Sequence, residues 1–492
     1  MRRIAPVGVV LCLQAFLLLY QPNLLAVWDD ELSTYGTVAR PVGQIIRGLQ
    51  WDVHPPLYFV LLHGWAQLRL PWQGIAALRA FSALWALAAT LLLDLLWTRR
   101  WRPWRRWLAL SLFALSPCLL LYGRMARSYA MQTALALLAA SLLWRWLRHS
   151  DSPWRSNLGA LAAMTALLYT HYIPGIALLV ALCAVGWRRL GAARLGWFLA
   201  AVSAGYLPWV PTLIRALRTW GGGSGFTSQY ALTGNAFTEQ FLKIGFGLVS
   251  FTIGETFAAV CLGLVPVALA LAWRGARLNR RLGVFIGLAA GVGYLGVARW
   301  ESYPFVPGRL LWLLPFVSLA IAAGIWRLRG LWRQTAAAAL MLSYLWSAAL
   351  YFRREDFLNP GYSAPLREIA ERLNREAGPG DVILMDAYNT DHALRYYLSG
   401  RTPVLILNAG AVKAARARLA GGGSVWMVRN THDISPGHIS SRIEAEACAG
   451  RVCQKTFLHP CTALQVLAMR LLGGAALPPY FYQLTVCRAR GG

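Results

Sequence analysis

The sequence predicts an α-helical polytopic membrane protein that ends in a small α/β domain. Three observations predict it. Of 492 residues, 57% are hydrophobic and 14% charged, where a soluble domain carries about 25% charged residues. Apolar runs of about 17 to 20 residues, long enough to cross a bilayer, recur through the first part of the chain. After about residue 356 charged and polar residues rise, and short strand-like and helix-like segments alternate.

The net charge of +28 comes almost entirely from arginine. Such a balance first suggests nucleic acid, but these arginines are not gathered on one soluble face. They fall in short clusters between apolar runs, at Arg2/Arg3, Arg99 to Arg106, Arg145 to Arg155, Arg188 to Arg194, Arg274 to Arg281 and Arg327 to Arg333. That is the pattern of loops retained on the cytoplasmic side, and it excludes nucleic acid as the partner the charge serves. With all six clusters inside, about eleven spans follow, near 4–20, 78–97, 107–122, 129–147, 157–172, 173–187, 195–213, 255–273, 282–298, 309–326 and 335–352. The first is read as a retained helix with a cytoplasmic N-terminus, because Leu24-Leu25-Ala26-Val27 is a poor cleavage site.

Leu57 to Leu68 is apolar but too short to span, so it is expected to lie in the outer interface or to dip in and return. Residues 236–253 are read the same way. The outward-facing segments are then 21–77, Tyr122–Tyr129, the Thr170-His171-Tyr172 turn, 214–254, Arg299–Arg309 and everything after about 353. The unusual polar residues collect in them.

The expected domains are a membrane domain, 1–355, and a soluble extracytoplasmic α/β domain, 356–492. In the latter, Ala364 to Glu376 and His392 to Leu398 read as helices, and 381–386, 403–407 and 425–428 as strands with at least partly parallel pairing. Cys12, Cys118, Cys183 and Cys261 lie in apolar runs as small hydrophobes. Cys448, Cys453, Cys461 and Cys487 suit disulfides of an exported domain, in any of three pairings; their spacing is not that of paired zinc ligands.

The residues with chemical potential come early. Asp29-Asp30-Glu31 follows the first apolar run. Acids there either cap a helix N-terminus or act as a base or metal ligands. His54, after Asp52 and before Pro55-Pro56, is a turn residue that can meet an anionic headgroup. Arg79, Arg124, Arg127, Arg299 and Arg309 stand at the outer face, against the positive-inside bias. Taken singly each could snorkel; as a set beside acids they point to a phosphate, whose oxygens match the guanidinium fork. Thr170-His171-Tyr172 ends a span at the same face.

These pieces together resemble the GT-C glycosyltransferases of the protein-mannosyltransferase-like superfamily (glycosyltransferase families 39 and 83). The resemblance rests on Asp29-Asp30-Glu31 and on Asp52-x-His54-Pro55-Pro56-Leu57-Tyr58-Phe59. It continues with Arg79-x-x-Ser82-Ala83-Leu84, Ser116-Pro117, and Tyr122 through Arg127 to Tyr129. Tyr169 to Tyr172, Val306-Pro307-Gly308-Arg309-Leu310 and Pro379-Gly380-Asp381-Val382-Ile383 complete it. It implies a membrane glycosyltransferase, hexosyl or pentosyl and inverting, that moves a sugar from a polyprenyl-phosphate donor to an acceptor hydroxyl. The acceptor would be a glycan, lipid or protein, and the place the outer face of the bacterial cytoplasmic membrane. Asp30, with Glu31, matches the catalytic acid pair, Asp30 as base. His54, Arg127, Tyr129, His171 and Arg309 match the donor-binding positions. No nucleotide cofactor is implied, since the activated donor arrives as a lipid. The chain departs from the pattern at Arg124-Met125-Ala126-Arg127, where many relatives read Gln-Glu-Ala-Arg. Met125 removes an acid that could hold a divalent ion, which leaves Asp29 and Asp52 as the candidate metal ligands. A transporter or flippase for a lipid-linked glycan, and an inactive assembly subunit, are the alternatives. The absence of internal repeats and the gathering of polar groups at one face weigh against a transporter.

Overall fold

A computed structural model describes the chain except residues 1–4, 69, 150–154, 222–235, 301–305, 387–390, 407–409, 419–421, 432–438, 464, 467–477 and 490–492. The described residues of Met1–Pro22, Thr34–Thr227 and Phe237–Arg353 form one compact unit, and those of Asn23–Ser33 and Arg354–Gly492 a second. This differs from the expected division, because residues 23–33 group with the C-terminal part of the chain.

The first unit is helical. In chain order its helices are α1 (Ala5–Leu19), α2 (Asp29–Val38, whose first turn belongs to the second unit), α3 (Val42–Leu49), α4 (Leu57–Ala66), α5 (Ile75–Leu92), α6 (Pro103–Ala114), α7 (Pro117–Gly123), α8 (Tyr129–Arg148), α9 (Arg155–Thr170) and α10 (Tyr172–Leu190). They continue with α11 (Ala192–Tyr206), α12 (Val210–Gly221), α13 (Ala236–Thr252), α14 (Leu264–Ala276), α15 (Arg280–Trp300), α16 (Leu314–Trp326) and α17 (Gly330–Arg353). Among the described residues, seven helical stretches are long and apolar enough to cross a membrane, or eight if the bent pair α6–α7 is one span. Each of the expected spans overlaps a helix, but the number differs. Ala259–Val297 runs 39 residues and takes in two of them, and α1 and α9 contribute only shorter apolar helices.

Local chemistry explains the packing. Gly275 of α14 and Gly324 of α16 let two backbones touch: a Cβ at Gly275 would strike the Ala320 carbonyl, and one at Gly324 the Leu271 carbonyl. Small residues at such crossings replace the hydrophobic drive that lipid removes. An acid inside a span needs a partner. Asp94, in the π-helical stretch Leu93–Thr98 that extends α5, has one: Arg106 donates to its two oxygens at 2.5 and 2.6 Å, and Thr98 adds a bond at 3.1 Å.

The second unit carries α18 (Leu366–Glu376), α19 (Asp391–Tyr397), α20 (Ala411–Arg418) and α21 (Ser441–Ala447) around a five-stranded sheet. Its strands are β1 (Val382–Met385), β2 (Val404–Ile406), β3 (Val425–Asn430), β4 (Arg451–Pro460) and β5 (Tyr480–Ala489), in the order β2-β1-β3-β5-β4. β1 pairs in parallel with β2 and β3, as the sequence leads one to expect; β5 pairs antiparallel with β3 and β4, which it does not. β1 is buried on both faces, the signature of a parallel strand covered by helices. One core, with Leu366, Ile369, Leu373, Ile383 and Trp426, lies under α18, and Ala26 and Leu32 pack onto it. The other gathers Val382, Leu384, Ala411, Ala415, Val425 and Cys487. Asp381 fixes the entrance of the sheet, accepting the Ser424 and Gly378 N–H groups at 2.7 and 3.0 Å and the Trp426 indole at 2.9 Å.

Candidate active site

The acidic turn opens α2. The Trp28 carbonyl accepts the first helical bonds, from Glu31 and Leu32 at 2.9 and 3.1 Å, so Trp28 is the N-cap. Glu31 lies three residues on and is 1% exposed; its carboxylate returns to the Trp28 N–H at 3.2 Å. That is the reciprocal half of a capping box, and three negative charges at a helix N-terminus are favourable. Within its unit the turn is tied down by the Val27 N–H, which donates to the Tyr397 hydroxyl at 2.8 Å, and by Trp28 edge-on to Tyr362. Glu31 is therefore held by its own helix, while Asp29 and Asp30 remain partly exposed.

In the helical unit the turn between α7 and α8 carries Arg127. It donates through Nη2 to His54 Nε2 at 2.8 Å and through Nη1 to Thr34 Oγ1 at 3.3 Å. A guanidinium only donates, so His54 Nε2 accepts, and the imidazole proton sits on Nδ1. Nδ1–H then donates to Asp52 Oδ1 at 2.9 Å. Asp52 Oδ1 also accepts the Val53 N–H at 2.5 Å. Burial alone would raise the Asp52 pKa. The bond and charge of His54, the Val53 N–H and the charge of Arg127 outweigh it and bring the value down to about 2 from 3.8. The backbone of Arg127 is positioned in turn by Ser82, which donates to its carbonyl at 3.2 Å and contacts the Tyr58 hydroxyl at 3.2 Å.

His171 caps α10, its Nδ1 accepting the Ile173 N–H at 3.3 Å, and it lies within electrostatic reach of His54, Arg309 and Arg127. Tyr172 feels both Arg309 and Asp52. Arg309 is half-buried in the 3₁₀ stretch Pro307–Leu313. That stretch lies against Tyr122 because residue 308 is glycine: a Cβ there would come 2.6 Å from the ring. The Gly308 carbonyl accepts from Gln132 Nε2 at 3.1 Å. Four of the expected donor-binding residues, His54, Arg127, His171 and Arg309, are thus brought together. They form a basic cluster with Asp52 as its counter-charge.

Other expectations take a different form. Tyr129 is 2% exposed and edge-on to Tyr122, with ring centroids 5.8 Å apart, so it packs the wall. Arg124 points away: it donates to the Leu17, Tyr20 and Gln21 carbonyls at 2.6, 2.8 and 2.5 Å and lies over the Tyr351 and Phe352 rings. These carbonyls end α1, where helical partners have run out. Arg79 donates to the Pro22 carbonyl at 2.8 Å. The side chain of Arg299 lies outside the described residues. His54 and Val53 both bond to Asp52 Oδ1. Among the described residues, the one group of three or more His, Cys, Asp or Glu side chains with metal-ligand spacing is Cys448, Cys453 and Cys487, so neither Asp29 nor Asp52 belongs to such a group.

Sequence reasoning missed Glu255. It is 1% exposed in the helical unit; its Oε1 accepts from the Tyr122 hydroxyl and, at 3.0 Å, from Ser250. The available signal was an acid at the head of an apolar run, Gly254-Glu255-Thr256-Phe257.

No family model matches the chain, and no curated protein matches it. Solved structures do. The crystal structure of ArnT from Cupriavidus metallidurans bound to undecaprenyl phosphate aligns at TM-score 0.52 and 13% identity, over 99% of this chain and 98% of that one. The Archaeoglobus fulgidus oligosaccharyltransferase in its apo form aligns at TM-score 0.52 and 11% identity, over 99% and 88%. The oligosaccharyltransferase AglB from the same organism, in complex with an inhibitory peptide and a dolichol-phosphate, aligns at TM-score 0.52 and 11% identity, over 100% and 89%.

Proposed function

The chain has the GT-C fold, and from that premise we propose that it is a membrane glycosyltransferase acting on a polyprenyl-phosphate-linked sugar, with inversion. The observation that carries the proposal is the chain of hydrogen bonds from Arg127 through His54 to Asp52, with His171 within electrostatic reach of His54, Arg127 and Arg309. Such a cluster suits a phosphate. Two of the structural neighbours were solved with a polyprenyl phosphate or a dolichol-phosphate.

In the reaction the acceptor oxygen attacks C1 of the sugar. The bond from C1 to the phosphate oxygen breaks, and its electron pair leaves with the phosphate. Arg127 and Arg309 stabilise that charge, as donors aimed at developing negative charge do. Once the phosphate occupies Arg127, the His54 ring that Arg127 had engaged is freed beside it. Asp52 keeps Nδ1–H oriented and balances the charge. Asp30 takes the proton of the acceptor hydroxyl. Glu31 serves as the cap that orients the turn bearing Asp30. The reaction is assigned to the extracytoplasmic face, from the positive-inside pattern. The second unit and the N-terminal acids then share that side.

The test is transfer of a labelled polyprenyl-phosphate sugar in membranes containing this protein. Label should move into an envelope acceptor and cease to move with Asp30→Asn. Undiminished transfer by a folded Asp30→Asn protein would remove Asp30 as the base, and no transfer from any such donor would remove the proposal.

A further inference from the structure

Three of the four C-terminal cysteines meet at one point. Cys487, on β5, is fully buried. Cys453 lies directly opposite on β4, with Cα atoms 4.1 Å apart, and Cys448, at the end of α21, lies at 5.8 Å. The three Sγ atoms lie within 4.8 Å of one another, and Cys487 is in disulfide reach of both others. A sulfur forms one disulfide at a time, so these two bonds are alternatives.

We propose that Cys448, Cys453 and Cys487 form a thiol–disulfide exchange site, with Cys487 as the shared partner and Cys453 as the reactive thiol. The inference is independent of the glycosyl-transfer reading. Cys448–Cys487 is the resting bond, since its Cα separation falls inside the usual range of about 4.4 to 6.8 Å and the Cys453 pair lies just below it. Cys453 is exposed, on the edge strand of the sheet. In the exchange the Cys453 thiolate attacks Cys487 Sγ and a Cys453–Cys487 bond forms. The Cys448–Cys487 bond breaks, its electron pair leaves on Cys448 Sγ, and Cys448 gains the proton Cys453 lost. No oxidant is needed, and the attack passes through an ordinary exchange step. The closed loops span 39 and 34 residues, so chain entropy gives neither isomer an advantage. Exchange moves the tether of β5 from the end of α21 to the edge strand. Cys461 takes no part; its Sγ contacts the Pro478 carbonyl at 3.7 Å.

The test uses the intact chain, purified in detergent without reductant, alkylated with iodoacetamide, digested and mapped by mass spectrometry. Among Cys448, Cys453 and Cys487 the wild type should show one disulfide, at Cys487, and one alkylated thiol. Cys453 should carry most of the label and Cys448 the remainder, since both isomers are trapped. Cys448→Ser should give Cys453–Cys487, and Cys453→Ser should keep Cys448–Cys487. The wild type decides even if a variant fails to fold. A single isomer at every alkylation time, alkylation of Cys448, Cys453 and Cys487 together, a bond to Cys461, or these three thiols shielded by a tightly bound metal ion seen in elemental analysis would each overturn the proposal.

Discussion

Arg124 and Arg127 occupy the same turn between α7 and α8, and their guanidinium groups meet opposite kinds of partner. Arg124 faces backbone carbonyls at the end of α1, which nothing else in the helix can satisfy. Arg127 faces a histidine nitrogen and a threonine hydroxyl. A carbonyl clamp has only a structural use. A guanidinium that engages side chains, within electrostatic reach of His171, has partners that an arriving anion can compete with. The arginines of the outer face are therefore not one set. Arg79 and Arg124 donate to backbone carbonyls, and Arg127 engages the side chains of His54 and Thr34; the proposed function draws on Arg127 and Arg309.

The largest effect that bears on this contrast is on the reaction itself. Asp30→Asn should lower transfer on the order of 10²- to 10⁴-fold, the range a general base supplies, with normal amounts of folded protein. Arg127→Ala should lower it on the order of 10²- to 10³-fold, also with normal folding. Arg124→Ala should do the reverse: it leaves three part-buried carbonyls without their donor and should cost about 1–2 kcal/mol of stability, read as a lower thermal midpoint in detergent. If Arg124→Ala folds as well as wild type and loses transfer as Arg127→Ala does, the contrast fails.

The smallest expected effect lies behind His54. Asp52→Asn should lower transfer about tenfold, because Asn still reaches Nδ1 but carries no balancing charge. The native Asp52 value of about 2 lies below the ordinary 3.8. A depressed carboxylate contributes stability that is fully present above the ordinary value and is lost as pH falls through the native one. Acid unfolding of Asp52→Asn should therefore depend less steeply on pH between about 2 and 3.8. An unchanged slope would mean that His54 and Arg127 do not hold Asp52 ionised.

Much of the fold was legible because its signals are local. Apolar runs and arginine clusters marked the helices, and residues 381–386, 403–407 and 425–428 marked the parallel part of the sheet. The antiparallel strands β4 and β5 were not legible, because β4 is an exposed edge strand and β5 is buried along most of its length, so neither shows a clean two-residue alternation. At the site, His54, Arg127, His171 and Arg309 were legible as unusual residues at one face. The division between Arg124 and Arg127 was not. The partners of Arg124 lie 103 to 107 residues away in sequence, and nothing local distinguishes a carbonyl clamp from an anion ligand. Glu31 read as half of a reactive pair, where its carboxylate turns back to cap its own helix.

The most direct measurement is the affinity of the purified protein in lipid nanodiscs for undecaprenyl phosphate, with no sugar attached. Wild type is compared with Arg127→Ala and Arg124→Lys. Arg127→Ala is expected to lose affinity at least about tenfold, since each charge-assisted bond to phosphate contributes on the order of 1.5–3 kcal/mol. Arg124→Lys is expected to bind as wild type does. Equal affinity in wild type and Arg127→Ala, with the fold intact, would contradict the assignment of this cluster to the lipid phosphate.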